Sequence, residues 1–415
     1  MKYIAISFFA VVLLITPWMV QNFPQGVAYI DNLYGYVGDH LVAALLHKPV
    51  TISELKARYD EAPKKKIRVL IVPGHEPDFG GTVFNKLKER DLNVELANNL
   101  RFFLQNNGHY EVVMTRDYKS WNPIFTEYFK NNWESIISFF KESKQDTLHF
   151  ISIGKITKPN AKISHNDAPQ NVAYRLYGIN KWGNENAVDI AIHIHFNDYA
   201  RRDISSPGEY SGFAIYVPER IYANSTTTRA IAEAVFKRIA KYNPVSNLPN
   251  ENAGVIDAPD LIAIGAYNTS DAASMLIEYG YIYEPQIVDE RVRESTLKDF
   301  AFQTYLGLQD FFGSGNDVSF AYDTLMLPHI WNNDLTVSDS NTKDVLALQT
   351  ALLIDGVYPG QGKTKNDCPR TGRFGPCTRE ALNVFQKKYK INGEEGMVGD
   401  KTKKVLNERY SGKTL

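Results

Sequence analysis

Strand-like and helix-like stretches alternate between residues 67 and 312, and this alternation predicts an α/β fold: a twisted, mostly parallel sheet flanked by helices. Two further observations set a second, smaller domain apart. Residues 341–410 carry an internal repeat. From Asn341 to Leu415 the balance is also basic, 14 Lys/Arg against 8 Asp/Glu, where the rest of the chain has 32 against 39. Between them, 313–340 opens with Gly313-Ser314-Gly315-Asn316 and reads as a polar linker. At 415 residues the chain has room for two or three separate cores.

The elements follow in order. Ile67 to Val72 reads as a buried strand that ends at Pro73-Gly74. Asp91 to Gln105 has Leu92, Leu96, Leu100 and Leu104 on one helical face. Asn107-Gly108 turns the chain into a second strand, Tyr110 to Thr115, closed by Arg116. Strands follow at Asp189 to Phe196, Gly212 to Val217 and Ala273 to Tyr279, with helices near 227–241 and 291–312. A long insertion, about 119–170, separates the second and third strands. Its Phe125, Tyr128, Phe129, Trp133, Ile136, Ile137 and Phe140 form an aromatic stripe at helical spacing. The stripe reads first as a helix packed on the domain's own core, and second as a lid over a site. In the C-terminal repeat, Gly372 … Gly375 … Thr378 … Leu382 is echoed by Gly396 … Gly399 … Thr402 … Leu406. Each copy reads as a Gly-rich turn, a Thr helix cap and an apolar helix residue.

The first 22 residues read as a signal peptide or membrane anchor. Lys2 precedes an apolar run from Ile4 to Thr16, which Pro17-Trp18-Met19-Val20 extends almost to spanning length. No good small-x-small cleavage site follows, so an anchor formed by residues 4–20 is favoured over a cleaved signal. Residues 23–66 then read as a juxtamembrane linker. Either outcome puts the remainder outside the cytoplasm, in the periplasm or cell wall. The only cysteines, Cys368 and Cys377, fit that compartment as a disulfide worth about 2–3 kcal/mol on a chain-entropy estimate. A net charge of −1 argues against a dedicated nucleic-acid binder.

The chemistry starts at His75, delivered at a strand tip, and Glu89, which opens a helix fourteen residues later. One imidazole and one carboxylate at the ends of regular elements begin a divalent-metal site. Alternation along the third strand puts His193 and His195 on one face, together with Asp189 and Ala191. Period 2 cannot choose between the two histidines; nearness to the strand end, where open α/β sheets build their sites, favours His195. Glu278 lies inside the apolar run Ser274 to Tyr281. A carboxylate there must pair, hydrogen-bond or serve a site.

Together these pieces resemble the zinc-dependent N-acetylmuramoyl-L-alanine amidases of the amidase-3 family. The likeness lies in Pro73-Gly74-His75, in Leu87 to Asn93, in Val112 to Arg116, in Arg175 with Asn180, in Asp189 to Asn197, and in Leu276 to Gly280. It runs over residues 67–312 apart from the insertion. The resemblance implies one zinc ion held by His75, Glu89 and His195, with Glu278 as the catalytic carboxylate. The implied reaction is hydrolysis of the amide between N-acetylmuramic acid and L-alanine in peptidoglycan, for wall remodelling or cell separation. Glu76, His193 and Asn197 are candidates for contacts behind the ligands. Glu76-Pro77 stands where the family has Gly-Gly, and Glu76 reads as a solvated carboxylate.

Asp344 to Leu352, Thr371 to Gln386 and Gly396 to Leu406 resemble a peptidoglycan-binding domain of the three-helix type. In it Val345, Leu348, Leu352, Leu382, Phe385 and Tyr389 are expected in the core. Such a domain on a tether would raise the local substrate concentration. Peptidoglycan is thus the expected partner, with membrane association through the N-terminus and a protein activator left open. Two rival readings stand beside this one: a wall-binding scaffold without activity, and a wall peptidase using the same zinc site.

Overall fold

Six strands form the sheet that the alternation predicts. They are β1 (Ile67–Pro73), β4 (Tyr110–Met114), β5 (Ile190–Asn197), β6 (Ala214–Pro218), β7 (Val255–Ala258) and β8 (Ala273–Tyr281). A separate hairpin pairs β2 (Val83–Phe84) with β3 (Leu87–Lys88). The order across the sheet is β4-β1-β5-β8-β6-β7. Every pairing in it is parallel except that between β6 and β8. The structure is a computed structural model that describes residues 49–156, 168–199, 202–203, 205–258, 261, 269–314, 322–337 and 342–412. The expected signal or anchor, and the juxtamembrane stretch as far as residue 48, lie outside the described residues. So do 157–167 of the insertion, 315–321 and 338–340 of the segment read as a linker, and residue 341 at the start of the C-terminal domain. Among the described residues, no helix is long and apolar enough to cross a membrane.

Strand alternation divides the core into two layers. Ile67, Val69 and Ile71 of β1, with Ile190, Ile192 and Ile194 of β5, point into the main cluster. There they meet α2 (Glu89–Asn106), α5 (Ser225–Tyr242) and α7 (Glu290–Phe312). Leu70 and Val72 of β1 and Ala191 of β5 face the other way, onto α3 (Pro123–Ser152) and α4 (Gln170–Glu185). From the insertion's stripe, Phe125, Phe129 and Ile136 are buried there beside Trp182. The stripe therefore packs on the domain's own core. An N-terminal helix, α1 (Ile52–Asp60), is closed by a Thr51/Glu54 capping box and buries Leu55 and Tyr59. A short helix, α6 (Pro285–Val288), precedes α7.

The C-terminal module consists of α8 (Lys343–Ile354), α9 (Pro376–Lys388) and α10 (Asp400–Tyr410). Val345, Leu348, Leu352, Leu382 and Phe385 are buried in its core, and Tyr389 packs at the edge. Leu327, Trp331 and Leu335 insert into the same core, so part of the segment read as linker completes the module. The repeat is real, but its threonines are not caps. Gly375 and Gly399 hold the N-cap positions, and Thr378 and Thr402 are buried at the third helical position. Each threonine hydroxyl accepts a hydrogen bond from a glutamine on the preceding helix, Gln349 and Gln386, both at 2.9 Å. An extended glycine replaces the expected cap because a neighbouring helix already occupies the threonine oxygen. A disulfide joins Cys368, in the loop between α8 and α9, to Cys377 in the first turn of α9.

The module is docked on the catalytic domain through that loop. Helix α5 ends with carbonyls that have no partner within the helix. Lys365 donates to Ala240 O and Lys241 O, and Arg370 to Tyr242 O at 3.0 Å. Asn366 donates to Val245 O at 2.8 Å. Two cations at a helix C-terminus also meet the favourable end of its dipole. Arg370 is buried, stacks on the Tyr242 ring at 4.9 Å, donates to Thr350 Oγ1 at 2.6 Å and lies 3.4 Å from Asp299 Oδ2.

Candidate metal centre

The C-terminal edge of the sheet gathers the site. β1 ends at Pro73, and Gly74 N donates to Ile194 O at 2.9 Å, which fixes the next loop against β5. His75 follows with φ of 68°, a backbone state that side-chain-bearing residues seldom adopt. Arg116 holds it there. The buried Arg116 guanidinium donates to the carbonyls of Pro73 (3.1 Å), His75 (2.7 Å) and Arg90 (3.0 Å), and also to Gly74 O. Burial lowers its pKa to about 10, so it stays charged at neutral pH. Gly74 is required by space: a Cβ there would stand 2.2 Å from the His195 ring.

Glu89 is the first residue of α2, and its carboxylate lies between two imidazoles. Its Oε1 is 2.9 Å from His75 Nε2 and 3.1 Å from His195 Nδ1. The backbone N–H groups of Thr82 (3.0 Å) and Phe196 (3.2 Å) donate to the same carboxylate. Burial works against its charge, yet the fields and hydrogen bonds of His75 and His195 hold the Glu89 carboxyl well below the usual range. One ligand atom from each of the three residues lies within 4.8 Å of the others. Two imidazoles and an ionised carboxylate so arranged form a donor set suited to a small divalent cation.

Glu278 sits on β8, directly opposite His195 in the β5–β8 pairing, and is 3% exposed. Burial first, then the negative fields of Glu89 and Glu251, push its carboxyl well above the ordinary value. The start of α2 and strand β8 thus bring two carboxyl groups within each other's field, with their proton affinities driven in opposite directions.

The structure separates the two histidines of β5. His195 joins the cluster; His193 does not. His193 is fully buried two residues earlier, and burial, with the His195 field, lowers its pKa to about 3, so it is a neutral imidazole. Asn197 donates to Glu251 Oε1 at 2.9 Å and accepts from Asp198 N at 2.8 Å. The expectation that Glu76 is solvated fails. Glu76 is buried, and Arg175 of α4 grips both its oxygens, Nη2 to Oε2 at 2.8 Å. The partner stands 99 residues away, so no local pattern around Glu76 shows it.

Sequence reasoning missed Glu251. It is fully buried and accepts from Tyr216 (2.6 Å), Ser246 (2.5 Å) and Asn197. It lies in an irregular segment without periodicity, flanked by Asn250 and Asn252, so the sequence around it reads as an ordinary polar loop. The β2–β3 hairpin, which leads into Glu89, was also not legible.

The sequence profile of the N-acetylmuramoyl-L-alanine amidases matches residues 69–310, more than half of the chain. The chain belongs to this family. A second profile, that of a peptidoglycan binding domain, matches residues 341–406, so peptidoglycan is the partner this amidase's second domain indicates. No curated protein matches the sequence. Among solved structures, the amidase is similar to the CwlD amidase from Clostridioides difficile, solved in complex with the GerS lipoprotein. That match has 14% identity and a TM-score of 0.39, over 60% of this chain and 99% of that one. It is also similar to an N-acetylmuramyl-L-alanine amidase from Mycobacterium smegmatis, at 15% identity and TM-score 0.39, over 60% and 100%. A third, from Nostoc punctiforme, matches at 17% identity and TM-score 0.36, over 60% and 97%.

Proposed function

We propose that this amidase is zinc-dependent, that His75, Glu89 and His195 hold one zinc ion, and that Glu278 is the catalytic carboxylate. The observation that carries the reading is the convergence of these three side chains beside a buried carboxyl with raised proton affinity. A bound zinc ion would polarise the scissile carbonyl and ease deprotonation of water. Glu278 accepts a proton from the water that adds to the lactyl carbonyl carbon. It returns that proton to the alanine nitrogen as the C–N bond breaks. Arg116 and Gly74 keep His75 and His195 in place, and Arg175 orients the His75 loop through Glu76.

The substrate is the amide between N-acetylmuramic acid and L-alanine, cleaved in wall remodelling or cell separation outside the cytoplasm. Residues 4–20 would serve as signal or anchor. Glu278→Ala tests the reading. The variant should keep stoichiometric zinc and lose about 10²–10⁴-fold in amide hydrolysis. Mass spectrometry of digested peptidoglycan should find free stem peptides and unsubstituted glycan with the wild type; shortened or uncrosslinked peptides still attached to glycan would make it a wall peptidase. Zinc-free wild-type protein of full activity would overturn the metal assignment.

A further inference from the structure

The loop between His75 and Glu89 turns back on itself through Gly80 and Gly81, whose φ angles are 88° and 80°. A Cβ on Gly81 would stand 3.0 Å from the His75 ring and 3.2 Å from Glu89 Cβ, so the loop passes between the two candidate ligands. Thr82 follows, and it meets Glu89 twice. Its carbonyl accepts from Glu89 N at 3.0 Å, one of the free N–H groups at the start of α2. Its own N–H donates to Glu89 Oε2, also at 3.0 Å. The carboxylate is thereby divided: Oε2 is occupied by Thr82, while Oε1 faces both imidazoles.

Thr82 is held in turn by Asp198, which follows β5 and lies 116 residues away in the chain. The Thr82 hydroxyl donates to Asp198 Oδ2. Asp198 Oδ1 accepts from Tyr199 N at 2.7 Å and from Arg202 Nε at 2.5 Å, and Oδ2 accepts from Arg202 Nη2 at 3.0 Å. The Arg202 side chain is only 6% exposed. It also donates to Val83 O at 3.0 Å, next to Thr82, and lies over the rings of Phe84 (5.1 Å) and Tyr283 (5.5 Å). A bidentate arginine–carboxylate pair packed in this way holds both groups in one orientation.

We propose that Asp198 is a positioning residue for zinc, acting through Thr82 to hold Glu89 in the orientation that ligation requires. The inference rests on the zinc reading given above. Without the bond to Asp198 the Thr82 peptide is free to turn, and Glu89 loses the donor that occupies Oε2. The carboxylate then spends part of its time away from the imidazoles, and apparent zinc affinity falls with the fraction correctly placed.

The test is the zinc dissociation constant of the full-length protein, measured by competition with a chromophoric chelator. Thr82→Val removes the hydroxyl but keeps the N–H, the carbonyl and the Asp198–Arg202 pair; Thr82→Ser keeps the hydroxyl. Thr82→Val and Asp198→Ala should each weaken zinc binding about 10–100-fold. The double variant should bind no more weakly than the weaker single one, since both cut the same connection. Thr82→Ser should bind zinc as the wild type does. Asp198→Ala also unpairs Arg202, so Thr82→Val carries the test if that variant fails to fold. A contact that merely tied the loop to β5 would change stability and leave zinc affinity unmoved. Wild-type affinity in Thr82→Val, or in folded Asp198→Ala, would overturn the proposal, and so would a Thr82→Ser as weak as Thr82→Val. Wild-type protein that takes up no zinc would overturn the zinc reading, and this proposal with it.

Discussion

Two regions of this chain bury charge, and they do it in opposite ways. At the docking interface the buried cation Arg370 has a carboxylate, a helix-terminal carbonyl, a hydroxyl and an aromatic face around it. Asp299 opposite accepts from Thr324 Oγ1 and Leu325 N, both at 3.0 Å. At the candidate metal centre, Glu89, Glu278 and Glu251 are all buried, and two of them raise the proton affinity of the third. His75 keeps a left-handed backbone, and glycine leaves the room that the His195 ring fills. The interface is built for stability. The candidate centre holds like charges and strain in place by its surroundings, the pattern expected where a site is preorganised at the expense of local stability.

The contrast can be broken at either end. Arg370→Ala should have the largest effect on stability, about 3–5 kcal/mol, because it leaves Asp299 buried without its cation. Denaturant unfolding would measure it, and zinc content should not change; loss of the ion with stability intact would reverse the assignment of roles. Glu278→Gln should do the opposite, stabilising the metal-free protein while abolishing hydrolysis. The folded-state pKa of Glu278 is raised above the ordinary 4.5. Its stabilising contribution is therefore complete below that value and lost as pH rises through the folded pKa. The variant's advantage should grow over that window by about 1.4 kcal/mol for each pH unit. Thermal melts of the two metal-free proteins across pH would show it, and parallel curves would refute it. Arg175→Ala should have the smallest effect, about 1 kcal/mol, since its guanidinium is partly solvated. It should also lower hydrolysis several-fold, and adding Glu76→Gly should recover part of both, because the orphaned carboxylate is then gone. A double variant no better than Arg175→Ala would argue against the pair.

Much of the sheet was legible because its signal is local. Alternation along Ile190 to Phe196 and the apolar run around Glu278 reflect side chains meeting the two core layers at every second residue. Glu89 at the start of α2 and the helical spacing of Leu92, Leu96, Leu100 and Leu104 were legible for the same reason. The β2–β3 hairpin and β7 escaped because two- and four-residue strands are too short to show a period. Thr378 and Thr402 were misread because capping preference is local, whereas the glutamines that bind them come from another helix.

The sequence by itself determined the α/β class, the family, His75 and Glu89 as candidate ligands with a histidine of the third strand, the buried carboxyl of Glu278, and the Cys368–Cys377 pair. These depend on residue type and short spacing, which a linear chain displays. Only the tertiary structure decided between His193 and His195, for that choice turns on the room left by Gly74 and the reach of Glu89. It alone turned Glu76 from a solvated side chain into a buried partner of Arg175, and it alone seated the module's disulfide loop on the end of α5. Each of these contacts joins residues about 100 or more apart, and such pairings exist only once the chain has packed.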